Sequence, residues 1–239
     1  MGDVLRAAMV QAVSFDAFGT IIDTGRDALL SVSRAVVEDA GSRADPDALL
    51  ATWDRYFFAQ DLEEFLLLAE VTEDSLARAF ADHGIEADPR PYVEMLEREW
   101  QRSRPYPEVA SVLASLDGMP RALVSNADDA FLRGILEQAG LRFDVVVTSE
   151  RARCYKPRPR IFEMAVEGLR TRPEAIVHVG DSLEADVAGA ARLGMRTIWV
   201  NRSGARPGPG DPRPDHEVRD LTGVPGILEA LREPPRIVK

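Results

Sequence analysis

The sequence contains a single cysteine, Cys154, and only three histidines. One thiol cannot form an internal disulfide, and one cysteine cannot build a cysteine-based zinc cluster. The histidines lie far apart in sequence, without the close spacing of a histidine metal motif or of a c-type haem attachment. These absences exclude a disulfide-stapled secreted scaffold. The three histidines are His83, His178 and His216.

Positive charge is also scarce, with 29 Lys and Arg against 40 Asp and Glu and a formal net charge of −11. Nucleic acids and anionic membrane surfaces both need clustered basic side chains, so neither is expected as a partner. No segment approaches the ~18 apolar residues of a membrane helix, and the first residues lack the shape of a signal peptide. We therefore expect a soluble cytoplasmic protein, a monomer or a homodimer.

Two regions of different pattern divide the 239 residues. A short strand at 12–15 and a turn-rich stretch at 17–25 precede a region, from about 26 to 102, in which apolar residues recur at helical spacing without a convincing strand. This region predicts four helices, and Thr72 is the expected N-cap of the third, which should end near Gly84. An aromatic cluster at positions 53–58 is interpreted as packing among these helices.

From about residue 104 onward, predicted strands alternate with predicted helices. Strands are expected at 121–124, 145–148, 175–179 and 196–200, with helices at 109–116, 129–139, 159–169 and 183–193. Strands separated by helices of this length are typical of β-α-β units and a parallel sheet. The predicted fold class is therefore α/β, with a Rossmann-like parallel sheet core of residues 1–23 and 103–239. An all-helical domain, residues 24–102, is inserted after the first strand.

Polar side chains follow the predicted strands, where ligands bind in an open parallel sheet. Asp16 and Asp181 would repel each other at neighbouring strand ends unless a cation lay between them, and oxygen ligands with few carboxylates suit Mg²⁺. A carboxylate beside Mg²⁺ can attack an electrophile and form a covalent ester or acyl phosphate. Taken singly, each residue also has an ordinary explanation as a turn former, a helix cap or a solvated lysine. The residues at these ends are Asp16, Ser125, Asn126, Lys156, Asp181 and Asp186.

The order of these residues resembles the four motifs of the haloacid dehalogenase-like (HAD) hydrolase superfamily. The matching segments are FDAFGT at 15–20, VSN at 124–126, KP at 156–157, and VGDS at 179–182 with Asp186. The helical insertion is similar to the first-type cap of that superfamily, and the stretch WVNR at 199–202 is also similar to it.

The resemblance implies a role for each residue of the motifs. It makes Asp16 the nucleophile and Lys156 the group that orients Asp16 and the substrate. The residues implied in binding the transferring group or the substrate are Thr20, Ser125 and Asn126. The implied Mg²⁺ ligands are Asp16, the backbone carbonyl of Phe18, Asp181 and Asp186, the last directly or through water.

Two branches of the superfamily, the phosphatases and the 2-haloacid dehalogenases, remain as alternatives, because the motifs do not all favour the same one. Phosphatases usually carry a second Asp two positions after the nucleophile, which protonates the leaving group and then activates water. Phe18 occupies that position here, and an aromatic residue there resembles the 2-haloacid dehalogenase branch.

Other positions favour the phosphatase branch. Metal-free dehalogenases of the family have Ser where this chain has Asp181 and Asn where it has Leu183. Their halide-gripping Arg after a Trp is replaced by Asp54, followed by Arg55, and their Tyr six residues after the motif Lys is Phe162.

The leading prediction is therefore a Mg²⁺-dependent phosphatase acting on a small, anionic, phosphorylated metabolite through an aspartyl-phosphate on Asp16. The alternatives are a 2-haloacid dehalogenase and a non-catalytic protein that binds phosphate-bearing ligands or a partner. His178 lies inside a predicted strand and is interpreted as a core residue rather than a base.

Overall fold

A six-stranded parallel sheet forms the centre of the protein. The structure is a computed structural model and describes residues 9–23, 26–58 and 64–232. In chain order its strands are β1 (Ala12–Phe15), β2 (Ile22–Asp23), β3 (Arg104–Pro105), β4 (Arg121–Ser125), β5 (Val145–Thr148), β6 (Ile176–Gly180), β7 (Arg196–Val200) and β8 (His216–Val218). The sheet has the order β5-β4-β1-β6-β7-β8, with every neighbouring pair parallel. The α/β fold class predicted from the sequence is confirmed.

The four inner strands of the sheet, β1, β4, β6 and β7, are buried on both faces, which explains their near-continuous apolar sequences. On β1, Val13 and Phe15 join the apolar cluster of one face, while Ala12 joins that of the other. Ile176 on β6 likewise packs with Ala12. The predicted strands are all present, with ends shifted by at most one residue.

Helices cover the sheet and form the insertion. In chain order they are α1 (Arg26–Asp39), α2 (Pro46–Phe58), α3 (Leu68–Asp82), α4 (Arg90–Gln101), α5 (Val109–Ser115), α6 (Asp129–Ala139), α7 (Ser149–Ala152), α8 (Pro159–Leu169), α9 (Gly189–Arg192) and α10 (Val224–Arg232). The sequence predicts one continuous helix at 183–193. The structure instead has a π-helical turn, Leu183–Ala188, followed by the short α9. No described helix is long and apolar enough to cross a membrane.

The four helices α1 to α4 share an apolar cluster of their own, as their helical spacing predicts. Trp53 is buried in it and donates a hydrogen bond from its indole nitrogen to Ser75 Oγ at 3.1 Å. Tyr56 packs against the same cluster, so the interpretation of the aromatic residues as packing is supported for Trp53 and Tyr56. The side chain of Phe58 lies outside the described part. The antiparallel pair β2 and β3 joins the two ends of the insertion, with Ile22 opposite Pro105.

The prediction of Thr72 as an N-cap is wrong. Helix α3 begins at Leu68, and Thr72 lies buried in its second turn, donating from Oγ1 to the carbonyl of Leu68 at 2.7 Å. Other side chains accept hydrogen bonds from the N–H groups at the start of this helix. Leu67 N donates to Glu70 at 2.7 Å, and Leu68 N donates to Asp128, which lies in the core, at 2.8 Å.

Candidate active site

Asp16 is the first residue after β1 and lies between the ends of two neighbouring strands. Phe15 pairs with Leu123 on β4 and with Val179 on β6, and the N–H of Asp16 donates to the carbonyl of Val179 at 2.8 Å. Because the strands are parallel, the segments that follow β4 and β6 open on the same edge of the sheet. The sheet therefore brings together the residues predicted at its strand ends.

Lys156 forms two buried ion pairs at this edge. Its Nζ lies 2.5 Å from Oδ1 of Asp16 and 2.6 Å from Oδ1 of Asp186, and all three side chains are almost fully buried. Burial alone would lower the pKa of Lys156, but the charges of Asp16 and Asp186 outweigh it and raise that pKa above its usual value. Burial opposes ionisation of Asp186 too, yet the ammonium and the hydrogen bond from His178 hold its pKa below the usual range.

Three carboxylates meet at the site against this single ammonium. One oxygen from each of Asp16, Asp181 and Asp186 lies within 4.8 Å of the others. Asp181 is exposed to solvent as a residue, although many protein atoms lie around its carboxylate. Burial, together with the charges of Asp16 and Asp186, raises the pKa of Asp181 to about 8. Burial likewise raises the pKa of Asp16. Ionisation of all three carboxylates together is therefore unfavourable beside one ammonium, and a bound cation would favour it.

Two glycines allow the carboxylates to approach the backbone. A Cβ on Gly180 would lie 2.5 Å from Cβ of Asp186, so a larger residue would displace that carboxylate. Gly19 has φ +85°, and a Cβ there would overlap the carboxylate of Asp181, 2.8 Å from its Cγ.

We expect Gly19→Ala to weaken both folding and activity. The positive φ should cost about 1–2 kcal/mol of unfolding free energy, and the displaced Asp181 should lower turnover in addition. Gly118→Ala is the matched control, because Gly118 has φ +76° and open space around it. Urea unfolding should show a similar backbone cost in both variants, and only Gly19→Ala should lose activity. Equal activity in the two variants would contradict the close approach of Asp181.

Three buried polar atoms at this edge have no hydrogen-bond partner within the described residues. Such atoms are rare in proteins and often mark the place of a ligand, an ion or water. They belong to residues that the sequence predicts in the site. The atoms are Asp16 Oδ2, Thr20 Oγ1 and Ser125 Oγ.

Asn126 contacts the chain around Lys156. Its Oδ1 accepts from the backbone N–H of Lys156 at 2.7 Å, and its amide nitrogen lies 3.5 Å from the carbonyl of the same residue. The side chain therefore holds the segment that carries the lysine.

The stretch at 199–202 holds the loops that carry the carboxylates. Trp199 donates from its indole nitrogen to the carbonyl of Asp181 at 2.8 Å. Arg202 donates to the carbonyls of Gly19 and Thr20 at 3.2 and 2.9 Å. The family resemblance pointed to this stretch through its sequence alone. The hydrogen bonds that it makes are seen only in the structure.

An aromatic wall, formed by Phe18, Trp100 and Phe131, lies beside the loop that follows Asp16. The ring of Phe18 stacks on Trp100, with centroids 6.2 Å apart, and lies 6.2 Å from Phe131. Trp100 comes from α4 of the insertion, whereas Phe131 comes from α6 of the core. The sequence pattern missed this wall, because helical spacing does not show which aromatic residues face the other domain.

Two of the residues compared with dehalogenases, Arg55 and Phe162, make contacts away from the carboxylate cluster. Arg55 is exposed and forms an ion pair with Asp82 at 3.2 Å, both within the insertion. Phe162 is fully buried and lies edge-on to His178, with centroids 5.2 Å apart.

Comparisons with known proteins agree with this geometry. A family model described as "Hydrolase: haloacid dehalogenase-like hydrolase" matches residues 10–194. A phosphoserine phosphatase of Thermus thermophilus is 32% identical, over 84% of this chain and 94% of that protein. A (S)-2-haloacid dehalogenase of Xanthobacter autotrophicus is 30% identical, over 81% of this chain and 76% of that protein.

A solved structure, the L-2-haloacid dehalogenase from Xanthobacter autotrophicus, has a TM-score of 0.75 at 25% identity. It covers 93% of this chain and 99% of its own chain. The family model, the two relatives and this fold all support one assignment: the chain belongs to the haloacid dehalogenase-like hydrolases.

Proposed function

We propose that this hydrolase is a Mg²⁺-dependent phosphatase that acts on a small phosphorylated metabolite, with Asp16 as its nucleophile. The observation that carries the proposal is the cluster of Asp16, Asp181 and Asp186, of which only Asp16 and Asp186 pair with the Lys156 ammonium among the described residues. A dehalogenase that works without metal has no need of a third carboxylate at position 181.

The donor set at this edge suits Mg²⁺. The available atoms are oxygens, which this ion prefers, and Oδ2 of Asp16 is buried without a protein partner among the described residues. Asp181 and Oδ2 of Asp16 are the side-chain ligands we propose, with the backbone carbonyl of Phe18 as a third. Asp186 already accepts hydrogen bonds from Lys156 and from the N–H of Ser182, so we propose that it acts through water.

The chemistry proposed for Asp16 proceeds in two steps. A carboxylate oxygen of Asp16 attacks phosphorus, and the bond from phosphorus to the leaving oxygen breaks as the aspartyl-phosphate forms. The leaving oxygen takes its proton from water. A second water then attacks phosphorus, the bond from phosphorus to the Asp16 oxygen breaks, and inorganic phosphate and a proton are released. Mg²⁺, when bound, offsets charge on the phosphoryl oxygens. Lys156 holds Asp16 in place, while the hydroxyls of Thr20 and Ser125 are free to bind phosphoryl oxygens.

We further propose that residues 24–102 act as a cap over this crevice, with the core formed by residues 1–23 and 103–239. The described contacts between the two parts lie beside the motifs. Asp128 accepts from the first N–H groups of α3, and the hydroxyl of Tyr155, next to Lys156, donates to the carbonyl of Leu66 at 3.0 Å. The cap thus touches the segments that carry the active residues.

Hydrolysis of 2-haloacids is the second candidate, and Phe18 favours it. Halide leaves without a proton, so an aromatic residue in place of the acid costs that reaction nothing. Against this candidate, Phe162 has no hydroxyl group and Arg55 is paired with Asp82. A third reading, a non-catalytic protein that binds phosphate-bearing ligands, has no evident need of a buried carboxylate held by Lys156.

A screen of phosphate esters and 2-haloacids, with Mg²⁺ and with chelator, separates these functions. Phosphate release that requires Mg²⁺ supports the proposal. Halide release that is unaffected by chelator supports the second candidate, and the absence of both activities supports the third.

Asp181→Asn should then raise the Mg²⁺ concentration needed for half-maximal phosphatase activity by at least about tenfold, because one ligand charge is lost. Glu184→Gln is the matched control. Glu184 lies three residues after Asp181, and its exposed carboxylate pairs with Arg192. An unchanged Mg²⁺ requirement in Asp181→Asn would contradict the proposed metal site.

A further inference from the structure

His178 is not only a core residue, as its position in a predicted strand suggested, because it contacts the catalytic cluster. Its Nε2 lies 3.2 Å from Oδ1 of Asp186, the same oxygen that accepts from Lys156. Its Nδ1 lies 2.8 Å from Oγ of Ser14. Ser14, His178 and Asp186 are each no more than 1% exposed.

The direction of these hydrogen bonds follows from the chemistry of the groups. Ionised Asp186 can only accept, so Nε2 of His178 carries the proton that is donated to it. In the tautomer that carries its proton on Nε2, Nδ1 accepts from the hydroxyl of Ser14. Ser14 and His178 are directly opposite in the pairing of β1 with β6. The ring is therefore anchored on β1, two residues before Asp16.

Packing leaves this arrangement little freedom. Phe162 lies edge-on to the imidazole, and the absence of a side chain on Gly180 makes room for Asp186. Oδ2 of Asp186 accepts from the N–H of Ser182 at 3.0 Å. Both oxygens of this carboxylate are therefore engaged by protein donors.

We infer that His178 is a positioning residue: by its hydrogen bond to Asp186 it fixes the Lys156 ammonium, and thereby the Asp16 carboxylate. A lysine ammonium is a point charge on a flexible chain, so its place depends on the carboxylates around it. The inference shares Asp16, Lys156 and Asp186 with the proposed function, but it requires neither the metal nor a phosphoryl group. It applies equally to phosphate esters and 2-haloacids.

Two substitutions separate positioning from simple packing. His178→Leu fills similar space without a donor, whereas His178→Gln places an amide N–H where Nε2 stands. Loss of such a supporting hydrogen bond typically costs about 10–100-fold in activity. We expect that loss in kcat for His178→Leu, with KM little changed, and substantial recovery in His178→Gln. Melting temperatures of the two variants should be similar. Equal kcat values in Leu and Gln variants of equal stability would overturn the inference.

A second measurement does not need activity. The sequence has only two lysines, Lys156 and Lys239, so protein labelled with ¹⁵N-lysine gives a simple side-chain spectrum. Hydrogen bonds to two buried carboxylates should slow the exchange of the Lys156 ammonium protons with water and make them visible. We expect this signal in the wild type and in His178→Gln, and its loss in His178→Leu. An unaltered signal in His178→Leu would refute the positioning role, even if the wild type hydrolysed neither class of substrate.

Discussion

Asp16→Asn should reduce turnover by roughly 10⁴ to 10⁶-fold, the range found when a member of a covalent catalytic unit is removed. The amide has nearly the size of the carboxylate but is not a competent nucleophile. Lys156 keeps Asp186 as its buried partner, so the variant should fold. Single-turnover assays with the best substrate of the screen, beside circular dichroism, measure both effects.

Asp215→Asn is the control for this change. Asp215 accepts from the N–H and hydroxyl of Thr197 at the start of β7, the end of the strand away from the site. Its variant should keep wild-type turnover. Turnover of Asp16→Asn comparable to that of the control would remove Asp16 from its role as nucleophile, in phosphatase and dehalogenase chemistry alike.

The sheet and its helices were predictable because their signals are local. Strands buried on both faces are mostly apolar, and the helices between them carry amphipathic spacing. Strand β8 was missed because its three residues, His216 to Val218, are short and partly polar. The pair β2 and β3 was missed for another reason: each strand has two residues, and its partner lies about eighty positions away.

The start of α3 shows the same limit at a helix end. Thr72 has the side chain of a good cap, but the helix begins four residues earlier, where Leu67 is the cap residue. The N–H groups at that end donate to Glu70 and to Asp128, which lies sixty residues away in sequence. Local sequence cannot report a partner supplied by another part of the fold.

The candidate site could be predicted as a set of residues but not as a network. The rule that ligands bind at the carboxyl ends of parallel strands selected Asp16, Lys156 and Asp181. The pairing of Ser14 with His178 could have been suspected only with the strand register, which places them opposite each other. The close contact of Phe18 with Trp100 depends on how the insertion lies against the core.

Phe18→Asp tests whether the absence of an acid at position 18 limits the hydrolysis of phosphate esters. A carboxyl group at this position could protonate the leaving oxygen and then activate water, and well-placed acid–base catalysis is worth roughly 10² to 10⁴ in rate. We expect turnover of alkyl phosphates, whose leaving groups are poor, to rise much more than that of aryl phosphates such as nitrophenyl phosphate. Aryl oxides leave with little help, so the ratio of the two rates is the quantity to measure.

The control must separate the new acid from the lost ring. Phe18 stacks on Trp100 and contacts Phe131, and such ring pairs are worth about 0.5–1.5 kcal/mol beyond the area they bury. Phe18→Asn loses the same contacts and has nearly the size of Asp, but it has no proton to donate. The alkyl-to-aryl ratio should therefore rise in Phe18→Asp and stay at the wild-type value in Phe18→Asn. If both folded variants show the same ratio, one of two explanations holds. Either another group already supplies the proton, or phosphate ester hydrolysis is not the reaction of this site. The Mg²⁺ dependence of each rate distinguishes these two explanations.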